Sequence, residues 1–433
     1  MKANSLEKYY GITAFGESHG KAIGVVIEDV KANQEFPLKE IQNALNERKP
    51  GSGKFTSPRK EDDRVEVISG VYNGKTTGMP ICLLVYNKDA RQQDYKHLQN
   101  LFRPGHSDFS YYKKFKIFDH RGGGRSSGRE TISRVAASGM VQNILKGIKI
   151  DIYTVKIGKF ETINYSNRYK NELYWPNEES YNDLVTYLEE IKRSGDSIGG
   201  VVEVMIKDLP AGLGDPVFEK LDANLAKAIL SIGGVKGIEF GNGFDFAALK
   251  GSQGNDQISK TGFITNHNGG IIGGISTGND LVFRFVVKPT PSISMKQNTV
   301  TKENEEIKFK TKGRHDTCII PRIIPVAKAM IHLVMSDAIS HQKLISDDKI
   351  DLADYREAID KIDEDILIGL YRRMEISSLI GKFKQQNKLP IEDENREQEL
   401  LKKLKLKASS FKIDESFIEE IWVKIISESK IKQ

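Results

Sequence analysis

The chain has 433 residues, with 65 Lys and Arg against 59 Asp and Glu, a net charge of +6 and 38% hydrophobic content. That length holds two or three domains around a large core, and the composition is that of an ordinary globular protein. The basic residues recur singly rather than in one block, which suits small anionic pockets and argues against a nucleic-acid stripe or other RNA-binding role.

The N-terminus lacks an apolar signal core, and no run reaches the ~18 apolar residues of a membrane span, so a cytoplasmic protein without membrane partners is expected. Its first motif, "AFGESHGKAIGVVIED" (14 to 29), sets Glu17, Ser18 and His19 between glycines just ahead of an alternating strand. "NERKPGSGKFTSPRKEDDR" (46 to 64) gathers Arg48, Lys49, Lys54, Arg59 and Lys60 around a Gly-Ser-Gly turn. "GVYNGKTTG" (70 to 78) is one residue short of the phosphate-loop spacing.

Further along, "RPGHSDFSYYKKF" (103 to 115) places His106 in a glycine turn. "DHRGGGRSSGRETISRVAASGM" (119 to 140) runs three glycines into Arg125, Ser126 and Ser127 and then a helix. Glycines let backbone N–H groups close on an anion, and a helix start favours phosphate. Residues 161 to 180 read as a surface excursion. The glycine pairs of "GGIIGGISTG" (269 to 278) lack the downstream acid of a dinucleotide site. "KPTPSISM" and "KGRHDTCIIPRIIPVAKAM" close the region with a third turn histidine, His315, beside Asp316. Cys82 and Cys318, far apart and flanked by apolar residues, read as reduced thiols, and no metal-ligand spacing occurs. Imidazoles that titrate near neutral pH, set among arginine and glycine, point to chemistry on a phosphorylated small molecule.

Beyond about residue 345 the chain turns helical. Leu352, Tyr355, Ile359, Ile362, Ile366 and Leu370 follow helical spacing, and no proline intervenes until Pro390. The pattern predicts a helix of about 35 residues followed by two shorter ones near 392–408 and 414–432. So long a helix cannot be covered by the short ones, which predicts an intertwined dimer. Arg373 and Lys384 fall about 20° apart on the long helix, where two cations need an anion. Arg356 falls about 100° away and should serve a different site.

Seven stretches in one order closely resemble chorismate synthase over roughly residues 8 to 340: "GESHGKAIGVVIED", "RPGHSDFSYYKKF", "GGGRSSGRETISRVAASG", "GDSIGGVVEV", "NHNGGIIGGISTG", "KPTPSI" and "GRHDTCIIPR". The resemblance implies an α+β fold, two antiparallel sheets packed face to face with helices outside, assembled as a homotetramer. It implies a 1,4-elimination of phosphate from 5-enolpyruvylshikimate 3-phosphate to give chorismate, using reduced FMN (FMNH2), with NADPH as a possible reductant. By the same resemblance His19 protonates departing phosphate, His106 sits beside the reduced flavin and sets its protonation, and Asp316 assists the flavin in removing the C6 proton. Arg125, Ser126, Ser127, Gly233, Gly234, Gly273, Lys288, Pro289, Thr290, Pro291, Ser292 and Arg314 hold the flavin, and Arg48 and Lys54 stand at positions for NADPH or substrate phosphate. Lys54 replaces a frequent arginine, Gly233-Gly234 a common Asn-Ala, and Lys328 a frequent glutamate, the last expected on a helix surface.

The tail resembles the all-helical chorismate mutase family through "DYREAIDKIDEDIL", "YRRMEISSLIGKFK" and "EDENREQELLKKL". That resemblance implies that Arg356 and Arg373 bind two carboxylates, that Lys384 and Gln433 bond the ether oxygen, and that Asp393, Glu397 and Ser429 orient the rest. The expected domains are 1–343 and 344–433, a bifunctional enzyme making chorismate and then prephenate. The alternative is a synthase with an inactive regulatory or dimerising tail.

Overall fold

The computed structural model describes residues 4–6, 10–49, 53–56, 61–88, 97–163, 171–311, 315–345, 352–387, 389–390, 392–410 and 413–431. The chain divides into two compact units, Met1–Ile345 and Ser346–Gln433.

The first unit opens with β1 (Ser5–Leu6), β2 (Ile12–Gly16), β3 (Ala22–Ile27) and α1 (Leu38–Arg48). It returns through β4 (Val65–Ser69), a β5–β6 hairpin (Val71–Tyr72, Lys75–Thr76) and β7 (Ile81–Tyr86). One antiparallel sheet results, ordered β1-β2-β3-β7-β4. Two helices follow, α2 (Asp108–Phe115) and α3 (Thr131–Val141), and then β8 (Lys149–Ile157), β9 (Phe160–Glu161), α4 (Tyr181–Ser194), β10 (Gly200–Lys207), α5 (Leu221–Leu230) and β11 (Val235–Phe240). A single turn α6 (Gly251–Gly254), two hairpins, β12–β13 (Ile258–Ser259, Gly262–Phe263) and β14–β15 (Ile271–Ile272, Ile275–Ser276), and β16 (Leu281–Val287) complete a second antiparallel sheet, ordered β11-β16-β10-β8-β9. A last hairpin, β17–β18 (Gln297–Val300, Glu306–Phe309), precedes α7 (Ile320–Ile345).

The two antiparallel sheets are as expected, but the layering differs. Helix α3 packs on β2, β3 and β7 of the first sheet on one side and on α1 and α7 on the other. In turn α7 packs on β8 and β10 of the second sheet and on α5. The helical layer therefore lies between the sheets. Its composition explains this: every residue of α3 except Arg134 and Met140 is buried, and a helix apolar on all sides belongs in a core. Each sheet turns its apolar register inward; on β10, Val202, Val204 and Ile206 are fully buried while Val201, Glu203 and Met205 are half-buried. Burying each such side chain contributes about 1.5–3 kcal/mol. By length and composition α7 could cross a membrane, but 67% of its most apolar stretch is buried inside the unit, which accounts for its hydropathy.

Both glycine-rich stretches that miss their motif spacings are tight hairpins, β5–β6 and β14–β15. Residues 171 to 180 are not a surface excursion: Leu173 and Trp175 are buried in the core, with Trp175 Nε1 donating to Ser180 Oγ at 2.9 Å. Lys328 lies on the α7 surface, 3.6 Å from Glu47.

The second unit consists of α8 (Leu352–Asn387, 36 residues), α9 (Glu394–Ser410) and α10 (Glu415–Ile431). At 1.5 Å per residue α8 is about 54 Å long. Asp393 and Asp414 start α9 and α10 by accepting from Arg396 N and Phe417 N, both at 3.0 Å. Helix α10 packs on both α8 and α9.

Candidate active site

A cavity of about 750 Å³ opens in the first unit, within the size range of cofactor and substrate sites. His19 enters it from the turn between β2 and β3, His106 from the turn before α2, and Asp316 from just ahead of α7. Arg125, Ser126, Ser127, Gly233, Gly234 and the Lys288–Ser292 segment also line it. Three turns far apart in sequence thus converge on one space.

The glycine loop is the hinge of this arrangement. Gly122 and Gly123 adopt φ of +65° and +86°. A Cβ on Gly122 would lie 2.3 Å from His19 Cε1, and one on Gly123 would lie 3.0 Å from His106 Cε1. Consecutive glycines therefore admit the two imidazoles on the same strip of backbone. Two 3₁₀ turns, Gly124–Ser126 and Gly128–Glu130, separate this loop from α3, so the helix start is set back from the glycines. Arg125 lines the cavity but bonds Gly16 O at 3.1 Å and Asn4 Oδ1 at 3.0 Å, tying the loop to β2.

His106 Nδ1 lies 2.7 Å from Asp108 Oδ1, and Arg103 grips the same carboxylate through Nε at 2.7 Å and Nη2 at 2.9 Å. Burial holds the His106 imidazole below its ordinary pKa, against the opposing hydrogen bond to Asp108. For Asp108, burial alone would raise the carboxyl, but hydrogen bonds from His106 and Arg103 outweigh it and hold it well below the usual carboxylate range.

The wall is strongly cationic: among the described residues, eight Arg and Lys side chains line it against Glu130 and Asp316. Asp63 divides its two oxygens between Arg48 Nη1 and Arg129 Nη1, each at 2.9 Å. Arg48 also donates to Thr131 Oγ1 and Gly128 O at 2.9 Å. Burial pushes Arg48 down to about 9, opposed by Asp63, so it stays charged at neutral pH. Arg322 Nη1 donates to Asp316 Oδ2 at 2.7 Å. Ser18 Oγ, Thr290 Oγ1 and Arg322 Nε are buried on the wall with no hydrogen-bond partner among the described residues. Leaving such atoms unmet costs about 1–3 kcal/mol each. A polar, anionic ligand relieves that cost, and the residues fit a flavin phosphate with an anionic substrate.

Two expected cofactor contacts fall off the cavity wall. Lys54 is drawn instead to Glu189 of α4, and its backbone N–H bonds Glu172. Gly273 forms the β14–β15 turn with Gly274, at φ of +64° and +88°, the primed geometry a two-residue hairpin demands. Arg59, Lys60, Arg314 and Gln433 lie outside the described residues. Asp63, Arg103, Asp108 and Arg322 were not singled out from the sequence. The signal for Asp108 was present, an acid two residues after His106 at a helix start; for the others the partners are distant in the chain. Cys82 and Cys318 are free thiols, and burial pushes Cys318 up to about 12.

In the second unit Arg373 reaches Ser429 Oγ and, at 3.2 Å, Ile425 O, joining α8 to α10. Burial lowers Arg373 from its ordinary pKa. Glu397 pairs with Lys430 at 2.9 Å, and Asp393 is exposed and committed to capping α9. Lys384 is half-buried, while Arg356 is exposed.

The family model described as chorismate synthase matches residues 10–340, and the model described as chorismate mutase type II matches residues 355–433. A chorismate synthase from Syntrophus aciditrophicus (strain SB) is 45% identical over 354 residues, covering 80% of this chain and 100% of the relative. One from Agathobacter rectalis is 49% identical over 350 residues, covering 78% and 95%. A solved structure described as "Crystal Structure of Chorismate Synthase" aligns with a TM-score of 0.60 at 29% identity, covering 83% of this chain and 98% of that one. The match spans both sheets, the helices between them and every turn that meets at the cavity: the chain belongs to the chorismate synthase family, and behind that enzyme domain it carries a second, chorismate mutase type II.

Proposed function

We propose that the first unit eliminates phosphate from 5-enolpyruvylshikimate 3-phosphate to form chorismate, and that the second rearranges chorismate to prephenate. The observation that carries this is the meeting of His19 and His106 at Gly122–Gly123, in a cavity shared with Asp316 and walled by a surplus of arginine.

In the elimination the C–O bond to phosphate breaks, the C6 hydrogen departs as a proton, and a second ring double bond forms. Reduced FMN, when bound, supplies an electron-rich ring beside the substrate, and the reaction has no net redox change. His19 delivers a proton to the leaving phosphate, whose charge is met by Arg48 and Arg129, pre-set by Asp63 so that no reorganisation is needed as charge develops. Asp316, held by Arg322, assists removal of the C6 proton. Arg125, Ser126, Ser127 and Lys288–Ser292 would hold the flavin when it is bound.

The rearrangement needs no proton transfer. Arg373 and Arg356 take the carboxylates, Lys384 meets the ether oxygen as charge builds there, and Ser429 fixes Arg373. Preorganised charge and selection of a folded conformer supply the rate. Glu397 contributes by exchanging Lys430 for substrate. Exposed apolar residues on the outer face of the first sheet (Phe15, Tyr86, Ile68) and along α8 support self-association of both units, and the free thiols suit a cytoplasmic enzyme.

Anaerobic turnover of the full chain with FMN, a chemical reductant and 5-enolpyruvylshikimate 3-phosphate tests this. Released phosphate is followed separately from prephenate. His19→Ala should lower phosphate release on the order of 10²–10³-fold and spare the conversion of added chorismate. Arg373→Ala should do the reverse. A full chain that leaves added chorismate unchanged favours the inactive, dimerising tail.

A further inference from the structure

We propose that Asp108 is a positioning residue that fixes His106 as its Nδ1–H tautomer, leaving Nε2 as an unprotonated acceptor towards the cavity. The functional weight of this rests on reading the cavity as the elimination site; the tautomer itself does not.

Among the described residues His106 Nδ1 has two polar neighbours, Asp108 Oδ1 at 2.7 Å and Arg103 Nη2 at 3.1 Å. They ask for opposite states of that nitrogen. The carboxylate needs an N–H there, and the guanidinium needs a lone pair. The geometry decides between them. Arg103 already donates to both carboxylate oxygens, from Nε to Oδ2 at 2.7 Å and from Nη2 to Oδ1 at 2.9 Å, and its backbone N–H reaches Oδ2 at 3.3 Å. Its fork is matched to the carboxylate, and its remaining contact to Nδ1, at 3.1 Å, is longer than the 2.7 Å contact from Nδ1 to Asp108. A bare Nδ1 would instead set two acceptors against each other at hydrogen-bond distance, beside a carboxylate whose side chain is only 2% exposed. Away from water that repulsion is not screened. Nδ1 therefore carries the hydrogen and donates to Asp108.

Asp108 cannot turn away, because Arg103 holds both its oxygens and the residue begins α2. The other ring nitrogen lies on the glycine loop, where a Cβ at Gly123 would come within 3.2 Å of Nε2. Burial disfavours the charged ring, and the neutral Nδ1–H tautomer leaves its lone pair on Nε2 of a residue that lines the cavity.

Histidine-selective ¹⁵N labelling of the full chain, with and without FMN, reads the tautomer directly. The His106 signals are identified by their loss in His106→Gln. The expected spectrum has hydrogen on Nδ1 and none on Nε2; hydrogen on Nε2 in the unmodified chain overturns the proposal. Asp108→Asn should abolish the single tautomer and lower kcat for phosphate release on the order of 10²-fold with KM little changed. A folded Asp108→Asn chain with the original tautomer and kcat also overturns it. Should that variant fail to fold, the unmodified chain's spectrum still decides. Failure of the elimination reading looks different: no phosphate release from the unmodified chain, with the tautomer as assigned.

Discussion

At the scale of single residues, the site depends on absent side chains as much as on present ones. A methyl group at Gly122 would sit 2.3 Å from His19 Cε1 and 2.4 Å from Nδ1, on backbone already in the left-handed region. Gly122→Ala should therefore carry two costs. Backbone strain lowers stability by about 1–3 kcal/mol. Displacement of His19 lowers phosphate release on the order of 10²-fold, since a shift near 1 Å suffices for that. Gly147 separates the two effects: its φ is +98°, yet nothing lies within 4 Å of a Cβ there. Gly147→Ala should lower the thermal midpoint and leave the rate unchanged. Full activity in Gly122→Ala would mean that the loop does not set the position of His19. Such glycines and histidines are legible in the sequence because each turn is local. The link between Arg48, Asp63 and Arg129 is not, because Asp63 lies 15 residues from one partner and 66 from the other, and nothing in the intervening chain announces the pairing.

At the scale of elements, periodicity reveals which face of a segment is apolar but not what covers that face. The three tail helices were readable for this reason, since a 3.6-residue repeat, a proline and capping acids are all local signals. The place of α3 between two sheets was not, because its run of small residues has no polar face from which to read an outside. The same limit leaves α8 with an apolar row that its own unit does not cover: Ile359, Ile362, Ile366, Ile376, Leu379 and Phe383 are each more than half exposed. A helix of this length gains most of its stability from packing one face, so a second copy is the expected cover. Ile366→Asp, placed in that row, should weaken the association. Conversion of added chorismate by the full chain should then fall and become dependent on chain concentration, while phosphate release per chain stays constant. A mutase rate indifferent to both the substitution and dilution would exclude a shared helical face.

At the scale of the whole molecule, charge is divided between the two units. The first carries 48 Lys and Arg against 39 Asp and Glu, and the second 17 against 20, so the chain's positive balance resides where a phosphorylated substrate is taken up. The product of that unit has lost its phosphate, and the second unit needs only a few cations to hold it. Each unit also has its own secondary structure and compact packing, so a substitution in one should leave the other folded. These two facts lead to a mixing experiment. Chains carrying His19→Ala and chains carrying Arg373→Ala, combined in equal amounts, each retain one activity. If chorismate leaves the first unit into bulk solvent, the mixture makes prephenate from 5-enolpyruvylshikimate 3-phosphate after a lag during which free chorismate accumulates. Its steady rate should match that of the unmodified chain at half the concentration. The lag should shorten as total chain concentration rises, because capture by the second unit is then a bimolecular step. Raised salt should slow phosphate release more than the rearrangement, since the first unit draws its more highly charged substrate through a stronger field. An unmodified chain that makes prephenate with no lag and no free chorismate, beside a mixture that does show the lag, would show that the intermediate does not pass through solvent in the joined chain and that the covalent joining of the two units is itself part of the catalyst.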